Sequence, residues 1–173
     1  MRVGILTVSD AGARGERQDR SGEAMAGWAS ERGYEVAARS VVPDDTHRIA
    51  SVLVEWCDEL ALDVVLTTGG TGVAPRDVTP EATRAVLERE APGLAEEIRR
   101  VGLEKTPYAV LSRGLVGIRG RTLVVNLPGS PGGVRDGLGV LGGVVDHAVA
   151  LLRDEVTPHR PGTGPSDTEG GDA

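Results

Sequence analysis

The chain has 173 residues and a formal charge of -7, from 19 Lys and Arg against 26 Asp and Glu, which leaves room for one domain with a sizeable core and not for two. Aromatic residues make up 2% of the chain and Phe is absent; with the acidic balance this excludes a base-stacking or phosphate-tracking nucleic-acid platform. The one cysteine, Cys57, excludes an internal disulfide framework and a multi-cysteine zinc site, and no stretch approaches the ~20 apolar residues of a membrane span, so a cytoplasmic setting without membrane partners is expected.

Short aliphatic runs bounded by Gly, Pro and Asp alternate with stretches of helical periodicity, the pattern of a three-layer α/β/α fold around a mostly parallel sheet. A strand is predicted over residues 3–8, then a helix over 21–32 with Ser21 as its N-cap and Gly33 as its stop. A second strand is expected at 35–42. The helix that follows, 46–60, places Ile49, Leu53, Trp56 and Leu60 on one face. A third strand covers 64–68. Thr79-Pro80-Glu81 reads as a helix start, with a capping hydroxyl, Pro at the first helical position and an acid in the first turn. A helix over 93–103 precedes a short strand at 115–118, which turns through Arg119-Gly120-Arg121 into a strand at 122–127 and makes the sheet mixed at one edge. A final helix is expected over 134–152. Residues 1–153 form the predicted domain. Residues 154–173 hold three Pro, four Gly and no Leu, Ile or aromatic residue, and are expected to remain a disordered acidic tail.

In an open α/β sheet, ligands bind beyond the carboxyl ends of the strands. Those positions carry Ser9-Asp10, Pro43-Asp44-Asp45, Thr67-Thr68-Gly69-Gly70-Thr71-Gly72 with Arg76-Asp77, and Pro128-Gly129-Ser130-Pro131. A parallel arrangement would bring all four loops to one mouth. Gly69, Gly70 and Gly72 admit close approach of backbone N–H groups to an anion, with hydroxyls from Thr68 and Thr71. Phosphate is the expected anion. Asp44 and Asp77 are the candidate acids, each also readable as a helix cap; beside a phosphate nest they would repel the ligand unless a cation lay between, and Mg²⁺ accepts carboxylate and phosphate oxygens together. Arg14, Arg20, Arg76 and Arg113 are candidate anion clamps.

Other patterns lead nowhere. The G-x-G-x-x-G string at 137–142 lies inside the last predicted helix, not between a strand and a helix. Lys105 follows Glu104, so there is no P-loop, and no G-x-S-x-G elbow is present. His47, His147 and His159 have no metal-ligand spacing, and Cys57 on the predicted 46–60 helix reads as half-buried.

Taken together, Thr7-Val8-Ser9-Asp10, Asp19-Arg20-Ser21-Gly22, Pro43-Asp44-Asp45, the block from Leu66-Thr67-Thr68-Gly69-Gly70-Thr71-Gly72 to Arg76-Asp77-Val78-Thr79-Pro80-Glu81-Ala82, Leu111-Ser112-Arg113 and Asn126-Leu127-Pro128-Gly129-Ser130-Pro131 resemble the Mog/MoaB-type molybdopterin adenylyltransferases of molybdenum cofactor biosynthesis. The resemblance implies transfer of AMP from Mg-ATP to the terminal phosphate of molybdopterin, with Asp44 and Asp77 as the essential, Mg²⁺-facing acids. It implies nucleotide or phosphate contacts at Ser9, Asp10, Thr68, Gly69, Gly70, Thr71 and Gly72, and pterin contacts at Ser112, Arg113, Pro128, Gly129 and Ser130. A homotrimer that hands its product to a molybdenum insertase is the implied assembly. The alternative is a binding-only carrier of molybdopterin that never turns over ATP.

Overall fold

The computed structural model describes residues 1–155. Its sheet has six strands: β1 (Arg2–Val8), β2 (Glu35–Val42), β3 (Val64–Thr68), β4 (Arg89–Glu90), β5 (Val116–Arg119) and β6 (Thr122–Leu127), in the order β2-β1-β3-β6-β5-β4. The first four in that order are mutually parallel, and β5 and β4 add on antiparallel at one edge. The expected mixed α/β/α architecture is therefore the one observed. Register aligns Val8 with Val42, Thr7 with Thr68, and Thr68 with Leu127. The loops that follow these four strands thus leave from one end of the sheet.

Helices cover both faces because the central strands are apolar on both sides. Ile5, Leu66, Val125 and Leu127 pack with Met25 of α2 (Arg20–Glu31), Ile98 of α5 (Pro92–Leu103), Val134, Leu138 and Leu141 of α6 (Pro131–Gly142), and Val149 of α7 (Val145–Leu152). On the opposite face Leu6, Val65 and Val124 meet Ile49 and Leu53 of α3 (Thr46–Val54) and Ala82 and Val86 of α4 (Thr79–Val86). Each such Leu, Ile or Val, removed from water, contributes about 1.5–3 kcal/mol before the entropy of ordering is subtracted. Trp56 completes the second face by lying across Gly4, where a Cβ would stand 2.6 Å from its ring. Trp28 has a peripheral place, edge-on to Tyr34 at 5.6 Å with Arg32 stacked over it at 5.2 Å.

Four local expectations change. Asp19, not Ser21, caps α2, accepting from Gly22 N; the Ser21 hydroxyl donates to the Gly129 carbonyl instead. The helix expected over 46–60 is capped by Asp45 and changes to a π-helical turn at Glu55–Glu59. That turn brings both Trp56 and Cys57 to the core side, where burial pushes the Cys57 thiol up to about 11 and keeps it un-ionised. Thr79 does not cap α4 with its hydroxyl, which donates to the Gly69 carbonyl. The last helix breaks after Gly142 into α6 and α7, with α6 starting early because Ser130 caps it and Pro131 occupies its first position. The short α1 (Asp10–Ala13), the two-residue β4 and a 3₁₀ turn at Pro107–Leu111 lay below the reach of periodicity.

At the end of the sheet away from these loops, Asp63 accepts from Arg2 N at 2.6 Å and from the Arg153 guanidinium at 2.6 Å. Glu35 N bonds the Met1 carbonyl beside it. Among the described residues no helix is long and apolar enough to cross a membrane. Of the predicted 154–173 tail, all beyond Glu155 lies outside the described residues.

Candidate functional site

The four loops converge as the parallel register requires. Thr7 to Ser9, Asp19 to Ser21, Asp44, Thr68 to Gly70, Asp77 and Gly129 to Pro131 line one cavity of about 730 Å³, closed on another side by Glu16 to Gln18. Its floor is backbone. Gly69 and Gly70 both have positive φ, +92 and +61 degrees, a region that only glycine enters without strain. A Cβ on Gly69 would fall on the Val8 carbonyl, and one on Gly70 on the Thr79 hydroxyl and the Asp44 carboxylate. Gly129 lies against Gly69, its would-be Cβ 3.4 Å from the Gly69 Cα. The floor is locked by three hydroxyls that donate to loop carbonyls: Thr68 to Pro128 at 2.7 Å, Ser21 to Gly129 at 2.9 Å and Thr79 to Gly69 at 2.8 Å.

Two helix N-termini open onto the cavity. Asp19 caps α2 and Ser130 caps α6, each accepting from the N–H three residues on. The N–H groups of these first turns and their aligned dipoles favour a negatively charged ligand. Asp19 also accepts from the Thr7 hydroxyl at 3.0 Å and from Arg39 at 3.1 Å, so its charge is already spent on structure.

The acids are arranged differently. Asp44 and Asp10 exchange bonds across the ends of β2 and β1: Asp10 N donates to Asp44 Oδ2 and Asp44 N donates to Asp10 Oδ1, both at 3.0 Å. The Asp44 N–H and the Arg76 guanidinium hold Asp10 below the usual carboxylate value. Among the described residues no cation pairs directly with Asp44, and Arg76 lowers its carboxyl only from further off. Burial, with the neighbouring Asp10 and Asp77 charges, raises its carboxyl above the usual value despite the bond from Asp10 N. Asp77 Oδ2 accepts from Ala74 N at 2.9 Å. Among the described residues nothing donates a hydrogen bond to Asp44 Oδ1 or Asp77 Oδ1, and both carboxylates line the cavity. Described residues hold no cluster of three His, Cys, Asp or Glu able to enclose a metal alone. Two open carboxylate oxygens beside an anion site nevertheless fit Mg²⁺, which completes its shell with water and substrate phosphates.

The sequence-predicted residues therefore divide. Ser9, Asp44, Thr68, Gly69, Gly70, Asp77, Gly129 and Ser130 share the cavity. Asp10 and Pro128 adjoin it through their bonds to Asp44 and Thr68. Thr71 and Gly72 lie further along the loop, their carbonyls accepting from Arg113 N and Nε. Ser112 and Arg113 line a separate cavity of about 440 Å³ with Pro80 and Arg99. Of the four candidate clamps, Arg20 lines the main cavity, Arg14 pairs with Glu16, Arg76 with Asp10, and Arg113 with Glu81. Sequence reasoning gives no site role to Asp19 or the 16–18 loop and makes Ser21 only a helix cap, although Asp19-Arg20-Ser21-Gly22 supplied the signal.

Known proteins similar to this chain in sequence and fold are consistent with one another. A family model described as a probable molybdopterin binding domain matches residues 4–147. The molybdopterin adenylyltransferase of Escherichia coli (strain K12) is 41% identical over 156 residues, 86% of this chain and 80% of its own. The molybdenum cofactor synthesis protein cinnamon of Drosophila melanogaster is 40% identical over 181 residues, 93% of this chain; the match spans only 30% of that longer protein. The molybdopterin biosynthesis enzyme MoaB of Thermus thermophilus superposes with a TM-score of 0.84 at 56% identity, covering 88% of this chain and 96% of that one.

Proposed function

This chain belongs to the molybdopterin-binding domain family, and from that premise we propose that it is a molybdopterin adenylyltransferase of molybdenum cofactor biosynthesis. An oxygen of the terminal phosphate of molybdopterin attacks the α-phosphorus of ATP; the new P–O bond forms as the α–β bridge breaks, and pyrophosphate leaves with the bonding pair. The observation that carries this reading is the placing of Asp44 and Asp77 on the wall of one cavity whose floor is glycine backbone and whose rim is two helix N-termini.

Reactions of this type need positioning and charge neutralisation more than a covalent nucleophile. The first turns of α2 and α6 bind and orient the polyanionic groups of the two substrates. Bare backbone at Gly69 and Gly70 lets them approach without a Cβ in the way. Asp44 and Asp77 would hold Mg²⁺, which when bound supplies the charge that neutralises phosphate oxygens. Without that cation the two carboxylates oppose the ligand, so activity should require a divalent ion.

Purified protein given molybdopterin and Mg-ATP is expected to yield adenylylated pterin and pyrophosphate in equal amounts. Asp44→Asn and Asp77→Asn should each lower that rate at least ~100-fold, equivalent to about 2.7 kcal/mol of barrier. Rates within twofold of the parent would remove both roles. Tight pterin binding with no pyrophosphate release would identify the carrier instead. We extend the same reading to a cytoplasmic homotrimer that passes the adenylylated pterin to a molybdenum insertase.

A further inference from the structure

Asp77 stands in an irregular loop, residues 69–78, between β3 and α4. Its carboxylate is steadied by a single bond within the loop, from Ala74 N. The placing of that carboxylate therefore depends on what holds the loop backbone. One anchor is Thr79, whose hydroxyl and N–H donate to the Gly69 and Gly70 carbonyls at 2.8 and 3.0 Å. A second is Arg76, whose guanidinium ties the loop to the Asp10 carboxylate, and a third comes from a distant part of the chain. Arg113, between the 3₁₀ turn and β5, donates from its backbone N–H to the Thr71 carbonyl at 2.8 Å, from Nε to the Gly72 carbonyl at 2.6 Å and from Nη2 to the Asp77 carbonyl at 2.6 Å. Its remaining nitrogen, Nη1, pairs with Glu81 in the first turn of α4.

We propose that Arg113 is a positioning residue for the adenylyl transfer: its guanidinium bolts both ends of the 72–77 loop to one point and so fixes the Asp77 carboxylate in the cavity. The inference rests on the adenylyltransferase reading above. Chemistry selects arginine here, because three nitrogens of one rigid plane serve two carbonyls and a carboxylate in different directions. A lysine ammonium, a point charge on a flexible stem, cannot reproduce that fork. Arg113 lines a different cavity from Asp77, so it acts through the loop and not on the substrate. A pterin-contact role for the same side chain makes the opposite kinetic prediction, since loss of a ligand contact raises KM.

The test compares Arg113→Lys, Arg113→Gln, Asp77→Asn and the Arg113→Lys/Asp77→Asn double variant, with kcat and KM for molybdopterin and for Mg-ATP measured on each. Loss of an orienting partner of this kind is expected to lower kcat ~10- to 100-fold, with both KM values within about twofold. Arg113→Lys should cost no further activity in the Asp77→Asn background, because the group it positions is already gone. Hydrogen exchange of the 70–79 peptide should quicken in both Arg113 variants while the melting temperature of Arg113→Lys stays within a few degrees of the parent. A rise in KM for molybdopterin with kcat unchanged overturns the proposal in favour of ligand contact. Additive losses in the double variant, or unchanged exchange in the loop, also overturn it. If Arg113→Gln fails to fold, Arg113→Lys with the double variant still decides. An inactive parent protein would defeat the adenylyltransferase reading, while loop exchange would still report whether Arg113 holds the segment.

Discussion

At the scale of single residues the carboxyls of the two acids joined by reciprocal bonds, Asp10 and Asp44, are shifted in opposite directions, and that difference is measurable. Asp44 has its carboxyl raised by burial and by Asp10 and Asp77, so in the folded protein it retains its proton to higher pH than in the unfolded chain. The folded state then binds more protons than the unfolded one as pH rises past the ordinary value of 3.8, and ionising Asp44 subtracts from stability. Asp10, lowered by the Asp44 N–H and Arg76, contributes stability that is present above its unfolded value and lost as pH falls through its folded one. Asp44→Asn is therefore expected to raise the melting temperature at pH 7 while activity falls, and Asp10→Asn to lower it. The Asp44 difference should vanish as pH falls below 3.8, and the Asp10 difference should shrink only at lower pH, as its lowered carboxyl is protonated; thermal melts across pH 2 to 8 check this. Sequence made Asp44 and Asp77 visible because a strand end is where an α/β sheet keeps its chemistry. It could not show that Asp44, beside the Asp45 that caps α3, bonds Asp10 34 residues away, nor that Arg113 serves carbonyls 36 and 41 residues away.

Among the elements, strands with unbroken aliphatic runs were legible to within a residue, because burial on both faces leaves no other composition available to them. Helices were legible in their middles and at several ends, the starts at Thr46 and Thr79 and the stop at Leu103 among them, but not where a helix changes form or breaks. The π turn at Glu55–Glu59 carries Trp56 and Cys57 into the core, which periodicity within one segment does not encode, and the break between α6 and α7 falls at Gly142 and Gly143. The glycines of α6 show what that packing demands. A Cβ at Gly137 would stand 2.7 Å from Leu127 Cδ2, whereas one at Gly139 meets nothing within 4 Å. Gly139→Ala should thus stabilise the protein by about 0.5–1 kcal/mol through helix propensity alone. Gly137→Ala should destabilise it by about 1–3 kcal/mol through overpacking. Urea unfolding of the two variants provides the comparison, and equal signs would defeat it. Of the G-x-G-x-x-G string, Gly137 is thereby the position that lets the helix lie close to β6.

Across the whole molecule, the net charge of -7 divides into -3 for residues 1–153, with 21 acids and 18 bases, and -4 for 154–173, with five acids and one Arg. Much of the charge within the domain is paired, and the pairs at the two ends of the sheet do different work. Those at the cavity end shape a binding site; those at the other end close the fold. Asp63, its side chain 12% exposed, holds Arg2 N and the Arg153 guanidinium together at that far end. Asp63→Ala should cost about 1.5–3 kcal/mol of stability, as expected for bonds to a charged group, while the adenylylation rate per folded molecule stays unchanged. Loss of activity in parallel with stability would show that the two ends are coupled.

The location of Arg153 beside Met1 and Asp63 has an architectural consequence. Arg2 and the stretch Arg153 to Glu155 thus lie together at the pole opposite the mouth. The domain keeps these two chain positions on one side and the opening of its cavity on the other. A related unit occurs within a longer protein, as the match spanning 30% of the cinnamon protein illustrates, and a joint at this pole would leave the mouth of the cavity open.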